Sequence, residues 1–211
     1  MRTDALIDLL AADGTRRWSF AEILAFAAAG GVLAAGGAFL LSLGPRDDIA
    51  LAARSVRFLF KFVVTATLAI GAVGAALRMG RPDATAARWR WALAAAPALL
   101  LAAVALELTA VPANAWMERL VGQNARTCLT FIPLLAIGPL ACLLLALRQG
   151  AATAPGQTGA MAGLAASGIA ATFYAAYCTD DSPLFVATWY PAATFMVAAA
   201  GYVAGERFLR W

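Results

Sequence analysis

The chain contains no histidine, so the commonest general base, the usual haem ligand and the usual zinc imidazole are all missing. No CxxC pair, P-loop, GxGxxG or GxSxG sequence occurs, which removes the familiar signatures of dithiol redox, nucleotide, dinucleotide and serine-hydrolase chemistry. Charge is also scarce: 13% of residues are charged, against about a quarter in soluble domains. Cysteine is limited to three residues.

What the chain has instead is apolar length. Of 211 residues 63% are hydrophobic, and they are gathered into six runs nearly free of charge: 20–43, 58–77, 91–111, 128–147, 158–177 and 183–205. Each is long enough to cross a bilayer core, which takes about 20 helical residues at about 1.5 Å each. Of the remaining pieces the longest is 1–19, too short for a soluble core. The expected fold is therefore all-α, a polytopic bundle of six transmembrane helices over 20–211 preceded by a short segment, 1–19. No separate catalytic or DNA-binding domain has room to exist, so function must come from the bundle, its loops or its tails. Residues 1–19 do not read as a cleaved signal, because an acidic, leucine-bearing segment precedes an apolar run far longer than an h-region of about 7 to 15 residues.

Ten of the sixteen basic residues fall at the N-terminus, in 78–90, in 148–157 and at the C-terminal tail, against six on the other side: Arg46, Arg54, Arg57, Lys61, Arg119 and Arg126. The richer side is expected to be cytoplasmic, which places both termini inside. The basic residues thus orient the chain in lipid, and no direct nucleic-acid contact is expected. Within the spans, Gly159, Gly163, Ser167, Ala171 and Ala175 form a stripe suited to close helix packing, as do Gly31, Ala35, Gly36 and Gly37. Pro133 and Pro139 are expected to bend the fourth span. Glu22, Lys61 and Glu107 lie within about a turn of a span end, where charged heads can reach the interface. With no other ionisable group at depth, an ion-coupled transporter is disfavoured.

Topology separates the cysteines. Cys142 reads as a buried apolar side chain about 21 Å below Cys128 along the fourth span. Cys128 and Cys178 fall at the outer ends of the fourth and fifth spans. They are either an incidental pair, a permanent staple, or a sensor in which oxidant or a thiophilic metal meets two thiols at one depth. Asp180, Asp181 and Glu107 should lie nearby, as auxiliary carboxylates that raise a thiol pKa or help hold a cation; any metal would rest on Cys128 and Cys178. Ser182 and Pro183 fit a helix start.

Residues 3–13, TDALIDLLAAD, place Leu6, Ile7, Leu9 and Leu10 on one side of a helix and Asp4 and Asp8 on the other. About ten residues make a helix that is marginal in water unless it packs on something. An acidic polar face is repelled by anionic headgroups, so either a cytosolic protein groove or the bundle's own loops should receive it.

These pieces together carry a resemblance. TDALIDLLAAD, ARTCLTFIPLLAIGPLACLLLALRQG and the glycine-rich fifth span running into YCTDDSPLFVATWY resemble the NrsF family of six-span inner-membrane anti-sigma factors, most specifically over 125–190. The resemblance implies a regulator rather than an enzyme, with no cofactor. Its partner would be an extracytoplasmic-function (ECF) sigma factor, held through the N-terminal segment, including Asp4, Leu6, Ile7, Asp8, Leu9 and Leu10. It also implies that Cys128 and Cys178 receive an oxidant or heavy-metal stress signal. Many members carry histidine before the second cysteine; Tyr177 stands there in this chain, which favours a thiol-only mechanism. The rival readings are a membrane thiol oxidoreductase and a small-solute transporter. Reporter fusions at residue 1 and residue 211 should both be active only with cytoplasmic reporters; a periplasm-active N-terminal fusion would overturn the expected topology.

Overall fold

The computed structural model describes residues 18–81 and 87–210. Six long helices dominate it: α1 (Phe20–Ser42), α3 (Val56–Met79), α4 (Ala87–Ala110), α6 (Ala125–Leu147), α7 (Pro155–Tyr177) and α8 (Pro183–Phe208). Short helices α2 (Ile49–Ala52) and α5 (Trp116–Val121), with a single 3-10 turn at Ala113–Ala115, fill the connections at one end, and no strand occurs among the described residues. All six long helices have the length and apolarity to cross a membrane.

The helix starts are set by local capping as well as by apolarity. Ser19 accepts from the Glu22 amide at 3.3 Å while the Glu22 carboxylate accepts from the Ser19 amide at 2.7 Å, a reciprocal cap that satisfies two donors at the start of α1. Glu22 is thus a capping residue. Ser182 accepts from the Leu184 amide at 3.3 Å, and Pro183 opens α8, as the sequence predicts. Helices α6 and α7 begin three residues before their apolar runs, because hydropathy marks where lipid begins while hydrogen bonding marks where the helix begins.

The bundle reverses the composition of a soluble core. Its interior is rich in alanine and glycine, including Ala72, Ala162, Ala166 and Ala170, whereas Leu33, Leu41, Ile70, Leu101 and Phe195 face outward. Between lipid-bathed helices no hydrophobic force favours burying large side chains, and close backbone packing takes over. Helix α7 is the hub, packing on α8, α3, α6 and α1. Its small-residue stripe meets the equally small face of α8: a Cβ at Gly163 would lie 2.6 Å from the Val197 carbonyl oxygen, and one at Gly205 would lie 2.9 Å from the Gly159 Cα. The first-span stripe does the same against α6, where a Cβ at Gly31 would lie 2.9 Å from the Pro139 Cα.

Phe20 marks the other end of the bundle. Its ring lies against Gly80 and Gly150, whose turns are joined by the Ala151 amide donating to the Gly80 carbonyl at 3.0 Å. Replacing Gly163 with Val should force α7 and α8 apart and destabilise the bundle by about 1 to 3 kcal/mol, read as a lowered thermal unfolding midpoint in detergent; an unchanged midpoint would show that the contact is slack.

Candidate functional site

The end of the bundle opposite Phe20 gathers nearly all the interior charge. Lys61, one turn and a half into α3, is 0% exposed. Its ammonium lies 2.6 Å from Asp181 Oδ1 and donates to the Cys178 carbonyl at 2.8 Å. Arg46, from the segment joining α1 to α2, reaches the same two groups, donating to Asp181 Oδ2 at 3.2 Å and to the Cys178 carbonyl at 3.5 Å. Both cations also approach the buried Phe58 ring, at 5.2 Å for Lys61 and 5.7 Å for Arg46, adding quadrupole attraction to the ion pair. Glu107, near the end of α4, is also buried; it accepts from Arg57 at 2.7 Å, from Arg119 at 2.7 Å and from Ser182 at 3.4 Å.

These contacts correct the expectation that Lys61 and Glu107 extend to the interface. Both point into the protein, because partners from distant segments replace the water that their charges would otherwise seek. They also account for most of the basic residues on the side read as outer: Arg46, Arg57, Lys61 and Arg119 are all ion-paired.

The thiols lie inside this shell. Cys128, in the first turn of α6, and Cys178, which follows the last residue of α7, are both free, fully buried and members of one apolar cluster. They lie at the same end of adjacent helices, within electrostatic reach of one another. Asp180 ties their two supports together: its Oδ2 accepts from the Gln123 amide at 3.0 Å, the Asn124 amide at 2.8 Å and Asn124 Nδ2 at 2.9 Å. A carboxylate from the α7–α8 turn thereby caps the N-terminus of α6, where free amides and the helix dipole favour negative charge. Gly122 permits this approach. It has φ of 58°, and a Cβ there would lie 2.8 Å from the Asp180 Cγ.

Asp180 and Asp181 lie on the turn that follows Cys178, and Glu107 meets that turn at Ser182, but each carboxylate is engaged by amides or cations. Among the described residues no three of Cys, Asp and Glu are grouped to hold a metal. Burial pushes the Cys178 thiol above its ordinary pKa, opposed chiefly by the Lys61 ammonium. Tyr174 and Tyr190 flank the thiols. The Tyr174 hydroxyl donates to the Asn124 carbonyl at 3.3 Å, while the buried Tyr190 hydroxyl has no hydrogen-bond partner among the described residues. Above the thiols a polar recess of about 370 Å³ is lined by Glu118, Arg119, Gly122, Gln123, Asp180 and Ser182. A second cavity of about 370 Å³, between α3, α4, α7 and α8, is almost wholly apolar. Cys142, expected to be buried, is half-buried near Gly30 of α1, since α6 carries it towards a neighbour that has no side chain to cover it. Asp4, Leu6, Ile7, Asp8, Leu9 and Leu10 lie outside the described residues.

Sequence reasoning did not assign Lys61, Arg46, Asn124 or the two tyrosines to the site. For Lys61 a signal existed: a cation six residues into an apolar helix that contains no acidic residue.

The family model described as "Negative regulator of sigma F" (NrsF) matches residues 10–211. The chain belongs to this family. Two full-length relatives support the assignment, each alignment covering 100% of both chains. The "Anti-sigma-F factor NrsF" of Caulobacter vibrioides (strain NA1000 / CB15N) is 34% identical over 218 residues, and the "Probable anti-sigma-F factor NrsF" of Azospira oryzae (strain ATCC BAA-33 / DSM 13638 / PS) is 32% identical over 216. No solved structure matches the chain. The NrsF resemblance in the cysteine-bearing region is therefore part of a relationship running along nearly the whole chain.

The buried Glu107 and the half-buried Asp181 should respond differently to truncation. Asp181→Ala leaves Lys61 buried without a carboxylate and should cost about 3 kcal/mol. Glu107→Ala should cost less, because the Arg57 and Arg119 side chains are 46% and 38% exposed and can be hydrated. Unfolding midpoints of the two variants in the same detergent give the order; the reverse order would mean that Asp181 is not the principal counter-ion of Lys61.

Proposed function

We propose that the chain is a bacterial inner-membrane anti-sigma factor. In this reading it holds an ECF sigma factor through residues 1–19 and releases it when periplasm-facing Cys128 and Cys178 react with oxidant or a thiophilic metal. Membership in the family of negative regulators of sigma F is the observation that carries the reading. The arrangement of the bundle supports it: two free thiols share one buried cluster at one end, and the chain leading to residues 1–19 leaves from the other.

At rest, Leu6, Ile7, Leu9 and Leu10 dock into an apolar groove of the sigma factor while Asp4 and Asp8 face its basic residues. Tethering to the membrane raises the local concentration, so a modest intrinsic affinity suffices. Joining the thiols removes two electrons and two protons, both delivered to the oxidant; binding a metal removes the two protons alone. Either event draws the start of α6 towards the end of α7. Helix α6 packs along α1 through Pro139 and Gly31, and α1 begins where residues 1–19 end, so a shift of α6 has a direct route to the tail. Turning a 99:1 bound ratio into 1:99 requires about 5.5 kcal/mol of differential stabilisation, more than a local adjustment of a loop supplies.

Affinity purification of the full chain from membranes tests both halves. The unaltered chain should co-purify with a sigma factor and lose it on treatment with oxidant. The Cys128→Ser, Cys178→Ser double variant should retain it, and Leu6→Asp or Leu10→Asp should lose it under all conditions while still inserting. Release from the double serine variant would refute the thiol switch, and undiminished binding by the aspartate variants would refute the docking segment.

A further inference from the structure

Both thiols are fully buried, yet two hollows of about 370 Å³ each adjoin the cluster that holds them, and neither is lined by a cysteine. The apolar cavity between α3, α4, α7 and α8 is walled off by Tyr190, whose buried ring packs on Tyr174 at 5.9 Å between ring centres. The polar recess lies where α5, the start of α6 and the turn 178–182 meet, with Gly122 and Asp180 in its lining. We propose that the recess, and not the lipid-facing cavity, is the route to Cys128 and Cys178, that the species sensed is therefore small and water-borne, and that Asp180 is the positioning residue that holds this route closed at rest. This deepens, and rests on, the reading of the two cysteines as a switch.

The floor of the recess is thin. Gly122 brings no side chain to it, and a Cβ there would lie 2.5 Å from the Phe185 ring as well as 2.8 Å from the Asp180 Cγ, so the ring lies directly beneath. Phe185, Cys128 and Cys178 belong to one buried cluster, and the Cys178 thiol donates to the Asp180 carbonyl at 3.8 Å. The Asp180 side chain spans the gap: Oδ2 accepts from the Gln123 and Asn124 amides and from Asn124 Nδ2, which also donates to Thr179 Oγ1 at 2.9 Å. One carboxylate oxygen thus latches the turn that follows Cys178 to the turn that precedes Cys128.

What opening would require on each side decides between the two routes. The Asp180 bonds border a recess lined also by Glu118, Arg119, Gln123 and Ser182, so water can take up the carboxylate and the amides as they part. On the apolar side a packed aromatic ring would have to leave the core with nothing to replace its contacts. Lys61 and Arg46 hold the Cys178 carbonyl and Asp181 independently, so the latch can part at Asp180 while the turn stays anchored to α3. A polar lining also favours a hydrated reagent over one dissolved in lipid.

The test uses the full chain in lipid nanodiscs with Cys128→Ser and Cys142→Ser, leaving Cys178 as the single thiol, at one fixed pH. Two reagents of the same chemistry are compared: 2-(trimethylammonium)ethyl methanethiosulfonate, confined to water, and decyl methanethiosulfonate, which partitions into lipid. Each rate is expressed per concentration of reagent in the phase that delivers it. The water-borne reagent should react faster in the single-cysteine parent. Asp180→Ala should raise the ratio of water-borne to lipid-borne rate about tenfold, as loss of a charge-assisted latch populates the open form. Asp180→Asn keeps an acceptor oxygen for the amides and should raise it less.

Any effect of the lost charge on the thiol itself acts on both reagents alike and cancels in the ratio, and its effect on a cationic reagent is to weaken attraction, opposite to the change expected. An unchanged ratio, whether or not both rates rise, would show that Asp180 supports the fold without closing the recess, and overturns the assignment. Faster reaction of the lipid-borne reagent in the parent would overturn the route, a comparison that stands even if Asp180→Ala fails to fold. Neither measurement involves a sigma factor, so failure of an oxidant to release one would refute the switch separately.

Discussion

An ammonium buried in an apolar bundle is costly unless its partners come with it, and the pairing of Lys61 with Asp181 is the constraint around which this end of the protein is arranged. The partners come from a single turn, where the Cys178 carbonyl and the Asp181 carboxylate both face α3. That turn also carries Asp180, which caps α6, and Ser182, which starts α8 and touches Glu107. Residues 178–182 therefore bind α3, α4, α6 and α8 through polar contacts of different kinds, and the thiol they carry is fixed as a consequence. A change at Cys178 cannot remain local, since its own carbonyl is one of the groups that makes Lys61 tolerable.

The rest of the bundle is suited to carrying such a change. Where α7 meets α8 and α1 meets α6, glycine and alanine let backbones touch, leaving few flexible side chains to absorb a displacement. Belonging to a family of sigma-factor regulators gives this mechanical continuity a purpose. On the function proposed above, reporting an event at one end of the bundle to a partner at the other requires helices that move together. The apolar character of the cavity between α3, α4, α7 and α8 offers little to a polar solute, in keeping with that role.

The six spans were legible because length and apolarity are local properties, present in each run without reference to any other. The placement of Cys128 and Cys178 at one end was legible for a related reason: helices that alternate in direction put the start of one span beside the end of the next. The expected exit of Lys61 and Glu107 to the interface failed because nearness to a span end says where a charge sits along an axis and nothing about which side of the helix it faces. Lys61 is covered by groups more than a hundred residues away. Asp180 shows the same limit, since a carboxylate beside a cysteine suggests a ligand or a pKa effect until the amides of Gln123 and Asn124 are found to occupy it.

The sequence by itself determined that the chain is a bundle of six apolar helices, that its chemistry is confined to a few cysteines and carboxylates, and that it resembles a family of sigma-factor regulators. Hydrophobic length, residue type and motif order can all be read along one dimension. Only the tertiary structure decided which cation answers which carboxylate and which thiol has a buried ammonium bonded to its own peptide group. Those relations depend on how α3, α6, α7 and α8 turn their faces to one another, and helix rotation in a core of alanine and glycine is set by backbone contact, for which the sequence pattern of any one helix carries almost no signal.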